Sequence, residues 1–283
     1  MKWRCADQIF DLSKQGEIMG IVNVTPDSFS DGGQFNEPAM AVAHGLQLIA
    51  EGAAIIDIGG ESTRPGAAEV DEEEEMSRVL PVIQGILNRA PDACISIDTS
   101  KAQVAKEAIA SGARIINDVT GFRDPDMIQL AADKHVGVAV MHMQGSPRTM
   151  QSDPSYENVV AEIRTFFEER HATLTSAGVD PEAIVYDPGI GFGKSLEHNL
   201  KLLRHLDELE VSRRPLLLGV SRKSFIGKIL GSEEIEDRGW PTVAITAQAR
   251  EQGVMLHRVH EAKSNLEALR MAEAILDSDR SDT

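Results

Sequence analysis

The 283 residues include 45 acidic and 28 basic side chains, a formal net charge of −17, with 42% hydrophobic and 26% charged residues. Such proportions exclude a collagenous, low-complexity or wholly disordered chain. A surface this acidic repels phosphate backbones and argues against a nucleic-acid partner. It is compatible with small anionic substrates where local cations reverse the field inside a pocket.

No apolar run approaches the roughly 20 residues of a membrane helix, so no membrane partner is expected. Met1 to Gly20 carries Asp7, Asp11, Lys14 and Glu17 and lacks the apolar stretch of a signal peptide. Two cysteines, Cys5 and Cys94, make neither a disulfide framework nor a cysteine metal site. A cytoplasmic protein is expected, with Cys94 a buried small hydrophobe.

The first β-branched run is Ile18 to Val22, followed by a Gly-, Ser- and Pro-containing segment, Asn23 to Asn36. The second run, Ala54 to Ile58, follows the helix-stop phrase Glu51-Gly52-Ala53 and leads into another long segment, Gly59 to Val70. Asp71 with Glu72 to Glu75 puts negative charge where a helix dipole favours it, and is expected as a solvated helix start. Met76, Val79, Leu80, Ile83 and Leu87 give that helix an apolar face. Ile95 to Asp98 is the third run, and Arg114 to Val119, after Ser111-Gly112-Ala113, the fourth. Val136 to Met141 is the fifth; the helix after it shows Val159, Ile163, Phe166 and Leu174 on one face and stops at Ala177-Gly178-Val179. Ala183 to Asp187, Leu216 to Val220 and, after Gln252-Gly253-Val254, Met255 to His260 complete the series.

Continuously apolar runs alternating with amphipathic stretches indicate parallel strands covered on both faces. Eight strand–helix units are the count of a closed (β/α)8 TIM barrel in the α/β class, here one domain over residues 1–283 with long loops after strands 1 and 2. A doubly wound open sheet is the alternative. It is weakened because no Gly-x-Gly-x-x-Gly opens a helix after the first strand.

The strands end on Asn23, Asp57, Asp98, Asn117 with Asp118, His142, Asp187, Ser221 to Lys223, and Arg258 with His260. In a barrel all of these point to one rim, where active sites are built. An aspartate after a strand often only caps the next helix. Caps alone do not explain a lysine, an arginine and two histidines in the same series. Lys223, Arg258 and His260 follow the last two strands, the usual phosphate position, and Arg64 could add a further cation. Asn23 offers a neutral oxygen to a Mg²⁺ that binds mainly through substrate phosphates. Asp98, Asn117 and Asp187 match a flat heterocycle with adjacent N–H donors. A carboxylate pair for glycoside hydrolysis ranks lower, because that chemistry needs neither the basic trio nor Asn23. The two long segments exceed ordinary barrel loops, and Phe29 and Phe35 within the first favour a lid or binding loop over a tolerated insertion.

Asn23-Val24-Thr25-Pro26-Asp27-Ser28-Phe29-Ser30-Asp31-Gly32-Gly33 resembles the first signature of the dihydropteroate synthase family, and Gly59-Gly60-Glu61-Ser62-Thr63-Arg64-Pro65-Gly66 its second. Ser96-Ile97-Asp98-Thr99-Ser100, Ile116-Asn117-Asp118, Met141-His142-Met143-Gln144-Gly145, Asp187-Pro188-Gly189-Ile190-Gly191-Phe192-Gly193-Lys194, Ser221-Arg222-Lys223-Ser224 and Arg258-Val259-His260 match further motifs in family order. The resemblance implies a (β/α)8 barrel that joins 4-aminobenzoate to (7,8-dihydropterin-6-yl)methyl diphosphate, giving 7,8-dihydropteroate and diphosphate in folate synthesis. It implies that Asp98, Asn117, Asp187 and Lys223 hold the pterin. Thr63, Arg64, Arg258 and His260 would take the diphosphate, with Mg²⁺ assisted by Asn23. Phe192, Ser224, Pro65 and Phe29 would surround the aminobenzoate.

The catalytic set so implied is Lys223, Asp98, Arg258 and His260, acting in a dissociative substitution. Sulfonamides, which resemble aminobenzoate, are then expected to compete with it. The resemblance further implies a homodimer through the last helices. Two stretches depart from the family pattern: Glu261-Ala262 stand where Asp-Val is common, and Gly231 to Pro241 matches no family motif. Pro241 suits a first helical turn.

Among other polar residues, His44, His135, His171, His198 and His205 read as surface, and Trp3 and Trp240 as packing residues. Met141 and Met143 serve equally as core or as a pterin platform. The rival functions are a pterin-binding methyltransferase domain, which lacks the diphosphate loop and the Lys223-Ser224 pair, and a non-catalytic pterin-binding paralogue.

Overall fold

A computed structural model of the chain describes residues 1–25, 37–62, 67–146 and 149–278. The strands are β1 (Lys2–Cys5), β2 (Gln8–Asp11), β3 (Glu17–Asn23), β4 (Ile55–Gly59), β5 (Cys94–Asp98), β6 (Ile115–Asp118), β7 (Gly137–Met141), β8 (Ile184–Asp187), β9 (Leu217–Gly219) and β10 (Leu256–Val259). The helices are α1 (Glu37–Ala50), α2 (Glu72–Leu87), α3 (Ala102–Ala110), α4 (Pro125–Lys134), α5 (Val159–Ser176), α6 (Leu196–Arg204), α7 (Ser224–Leu230), α8 (Gly239–Glu251) and α9 (Ala262–Asp277).

β3 to β10 form one parallel eight-stranded sheet, and a parallel bridge between Tyr186 and Leu216 joins β8 to β9 and closes it. This is the (β/α)8 barrel expected from the sequence, and the open-sheet alternative falls because that sheet would keep two free edges. The register sets Gly59 beside Asp98 and Asp98 beside Asn117, so neighbouring strand ends stand level.

β1 and β2 lie outside the eight runs read from the sequence. They form an antiparallel hairpin across the N-terminal end of the barrel. Trp3, Cys5 and Leu12 pack there with Met19, Ile55, Cys94, Ile115, Ala139, Val185, Leu217 and Leu256, the inward residues of all eight strands. The Trp3 indole Nε1 donates to the Ala183 carbonyl at 2.8 Å, satisfying the polar end of this buried side chain. Trp3 and Cys94 are thus the packing residues expected of them.

Trp240 is not. It sits in the first turn of α8 and is 80% exposed, because α8 turns Thr242, Thr246 and Ala249 to the core instead. Pro241 does fall in that first helical turn. The acidic start of α2 also divides: Asp71 caps the helix and Glu72 to Glu74 are exposed, whereas Glu75 is buried against Lys101. Replacing Trp3 by alanine is expected to cost about 3–5 kcal/mol of unfolding free energy, measured by urea denaturation. A loss below about 1 kcal/mol would show that the hairpin does not support the barrel.

Candidate active site

Alternation along each strand explains how the polar residues meet. Met19, Ile55, Cys94, Ile115, Ala139, Val185, Leu217 and Leu256 share the apolar interior. Two residues further along, the same inward face carries Ile21, Asp57, Ser96, Asn117, Met141, Asp187, Gly219 and Arg258. One step along the barrel axis therefore converts an apolar core into a polar floor. Asp57, Ser96, Asn117 and Asp187 are buried in it.

Arg258 ties this floor together. Its Nε donates to Asp57 Oδ2 at 2.5 Å and its Nη2 to Asp98 Oδ2 at 2.6 Å. Asn117 Nδ2 donates to the same Asp57 oxygen at 3.0 Å. Burial works against the guanidinium charge, but Asp57 and Asp98 outweigh it and hold Arg258 above the ordinary arginine value. Burial pushes Asp98 up to about 7; Arg258 pulls it down and Asp57 adds to the rise.

Across the opening, burial raises Asp187, tempered by the Lys223 charge and by an N–H from Gly189 at 2.7 Å. Burial lowers Lys223 to about 8, with Asp187 the largest opposing influence. The Lys223 ammonium donates to the Ile190 carbonyl and stands 4.6 Å from the Phe192 ring centroid, a cation–π distance. Phe192 itself packs against Val119, Met141, Met143 and Met150, so both strand-end methionines lie in a buried cluster behind this ring.

At the basic end of the rim, the His260 Nδ1 lies 2.9 Å from the Ser221 hydroxyl, which also accepts the His260 N–H at 3.1 Å. Ser224 is exposed at the first position of α7. Arg222, in a left-handed conformation with φ of 57°, forms an ion pair with Glu261. The longer acid after His260 thereby binds the turn that carries Lys223.

Glu61 accepts from Val70 N at 3.1 Å and pairs with Lys101 at 2.5 Å, while Arg78 donates to the Gly60 carbonyl at 2.7 Å. The second loop is thus anchored at both its ends. Phe29, Thr63, Arg64 and Pro65, assigned to the site from sequence, lie outside the described residues.

The structure therefore brings Asp98, Asn117, Asp187, Phe192, Lys223, Ser224, Arg258 and His260 to one rim, with half-buried Asn23 ending β3 beside Gly59. Asp57 is the residue that sequence reasoning left unassigned. It shares the inward parity of Ile55, on strand β4 in register with Ser96, and that phase was the available signal. Among the described residues no group of three His, Cys, Asp or Glu side chains could hold a metal ion. The Asn23 amide does fit a Mg²⁺ that takes its other ligands from a diphosphate and water.

Three comparisons bear on this geometry. The family described as pterin binding enzyme matches residues 19–260. The chain is 48% identical to the dihydropteroate synthase of Escherichia coli (strain K12) over 266 residues, 94% of this chain and 93% of that protein. It is 43% identical over 268 residues to that of Synechocystis sp., covering 94% and 92% of the two chains. Among solved structures, Xanthomonas albilineans dihydropteroate synthase with 4-aminobenzoic acid superposes with a TM-score of 0.91 at 44% identity, covering 97% of this chain and 98% of that one. The Yersinia pestis enzyme in a sulfonamide drug complex gives 0.92 at 43% identity, covering 98% and 100%.

Asp98 also makes a thermodynamic prediction. Its folded pKa of about 7 lies above an unfolded value of about 4. Folding therefore takes up a proton between those values, and the stability Asp98 contributes is full below about pH 4 and lost as pH rises through about 7. Asp98→Asn is expected to lose less stability than the parent between pH 5 and pH 8 in thermal melts. Equal losses would contradict the buried carboxyl's raised pKa.

Proposed function

The chain belongs to the dihydropteroate synthase family of pterin-binding enzymes, and from that premise we infer how the barrel mouth carries out the family's reaction. It is an enzyme that condenses (7,8-dihydropterin-6-yl)methyl diphosphate with 4-aminobenzoate, giving 7,8-dihydropteroate and diphosphate. The observation that carries the assignment of its groups is the convergence of Asp98, Asn117, Asp187 and Lys223 around one opening, with Arg258 locked among them.

In this proposal the pterin sits on the polar floor. Asp187 and Asn117 accept its adjacent N–H donors, and Lys223 donates to a ring acceptor. Arg258 is committed to Asp57 and Asp98 through Nε and Nη2, which leaves Nη1 to face the diphosphate. His260, Thr63 and Arg64 would share that anion, and Asn23 would hold Mg²⁺ through its amide oxygen. The bound cation would supply charge neutralisation at the diphosphate oxygens.

Bond breaking comes first: the methylene C–O bond cleaves and its electron pair leaves with diphosphate, favoured by Arg258 and His260. The methylene cation left behind is conjugated with the electron-rich pterin, and the carboxylates of Asp98 and Asp187 stabilise it. The aminobenzoate nitrogen, held beside Phe192, Ser224, Pro65 and Phe29, then forms the new C–N bond and releases its proton to solvent. A sulfonamide would compete at the aminobenzoate position, a reading supported by the Yersinia pestis drug complex.

In this reading residues 1–283 act as one barrel domain in the cytoplasm, where the buried thiols of Cys5 and Cys94 stay reduced. The functional unit is a homodimer joined through the last helices. What supports it is exposed apolar surface on α8 and α9: Trp240, Met271 (64% exposed) and Ile275 (62% exposed).

Lys223→Ala is expected to lower kcat/KM for dihydropteroate formation by about 100-fold or more while leaving the circular dichroism spectrum unchanged; a parental rate would remove Lys223 from the site. In a single turnover without aminobenzoate, the enzyme with Mg²⁺ is expected to release diphosphate. Release only when aminobenzoate is present would exclude the dissociative order. Sedimentation equilibrium is expected to give twice the chain mass, reduced to the monomer by Trp240→Asp combined with Ile275→Asp. A monomeric parent would end the dimer reading.

A further inference from the structure

The loop after β8 is held in an unusual way. Four successive carbonyls each accept a side-chain donor: Ile190 from Lys223, Gly191 from Gln151 Nε2, Phe192 from Lys194 Nζ at 2.9 Å, and Gly193 from the Tyr156 hydroxyl at 2.8 Å. Only Lys223 belongs to the site already described. The other donors come from the loop after β7 and from Lys194, which continues the β8 loop.

The two loops are built against each other. Lys194 Nζ also meets His142 Nδ1 at 3.0 Å and the His142 carbonyl at 3.3 Å. A Cβ on Gly189 would lie 2.0 Å from the His142 carbonyl oxygen, and one on Gly193 would lie 2.5 Å from the Gln144 carbonyl oxygen, so only glycine permits this approach. The loop after β7 is stapled to itself: Gln144 donates to the Ser155 carbonyl at 2.8 Å and accepts the Ser155 N–H at 3.0 Å. Tyr156 is wedged between the His142 and His198 rings, at centroid distances of 6.1 Å and 4.9 Å.

Burying an amine whose acceptors are two carbonyls and an imidazole, with no anion among them, is costly. Burial and the Lys223 charge push Lys194 well below its ordinary value. Burial first, then the Lys194 charge, drives His142 down to about 2, so its ring is neutral where it meets Lys194 Nζ. The fold sustains this cost at the loop that presents Phe192.

We propose that Lys194, Tyr156 and Gln151 are positioning residues that clamp the β8 loop and so set the seat of the 4-aminobenzoate ring on Phe192. Asp98, Asn117 and Asp187 stand at strand ends whose placement follows from sheet register, so the clamp acts on the aromatic amine and not on the pterin. The proposal rests on the reading that Phe192 lines the aminobenzoate position.

The test is steady-state kinetics on the full chain with Tyr156→Phe, Lys194→Met and, as a reference, Phe192→Ala. Each clamp variant is expected to raise KM for 4-aminobenzoate roughly three- to tenfold, the worth of the one hydrogen bond it takes from a β8-loop carbonyl. KM for the pterin diphosphate is expected to stay within about twofold of the parent, since Asp98, Asn117 and Asp187 are set by sheet register and Lys223 is carried by its own turn after β9. Should Lys194→Met fail to fold, Tyr156→Phe, which removes one hydroxyl, decides alone. A rise in both KM values together, or no rise in either while Phe192→Ala raises the aminobenzoate KM, would overturn the clamp and leave the subsite standing. An unchanged aminobenzoate KM in Phe192→Ala would overturn the subsite reading and the clamp with it.

Discussion

Two carboxylates, the buried Asp57 and the partly buried Asp98, share the floor at the top of the barrel, and one guanidinium makes that tolerable. Arg258 reaches both, at 2.5 Å and 2.6 Å, from β10, the last strand of the barrel. Without that cation the two acids would repel each other in a low-dielectric floor, and Asp98, already raised to about 7 beside Arg258, would be driven higher still. With it, the floor keeps its hydrogen-bonding capacity, and Asn117 is oriented through the same Asp57 oxygen. Every functional group above depends on this floor staying in place.

The arrangement separates charge along the rim. Carboxylates and an amide end the strands near the floor, Arg258 on β10 ties them together, and Lys223 and His260 follow β9 and β10. A substrate with an N–H-rich bicycle at one end and a diphosphate at the other matches that polarity along its whole length. The net charge of −17 makes the local cations the more telling, since they act against the field of the entire molecule. The third component, an aromatic amine, meets a different surface: a phenylalanine on a glycine-rich loop, backed by Met141, Met143 and Met150.

The barrel was legible because parallel strands covered on both faces leave continuous apolar runs, and each run stopped at a polar residue. Asp98, Asn117, Asp187 and Arg258 were found that way, and strand parity brings them together. Asp57 escaped assignment because an aspartate near a strand's end reads equally as a cap. The β1–β2 hairpin escaped because Lys2–Cys5 and Gln8–Asp11 mix polar with apolar residues and form no continuous apolar run, and the value of Trp3 lies in closing a distant end of the barrel. Glu75 looked like one more exposed acid in a run of four; its partner Lys101 is 26 residues away. Trp240 shows the opposite failure, since hydrophobicity alone does not say whether a side chain packs inside its own chain.

The most direct test of this account is a crystal structure of the chain with 7,8-dihydropteroate bound. The account predicts the bicycle inside the barrel mouth, its N–H edge against Asp187 and Asn117, and the benzoate ring against Phe192. Product seated outside the mouth, or turned with its benzoate on the Asp57–Arg258–Asp98 floor, would contradict it.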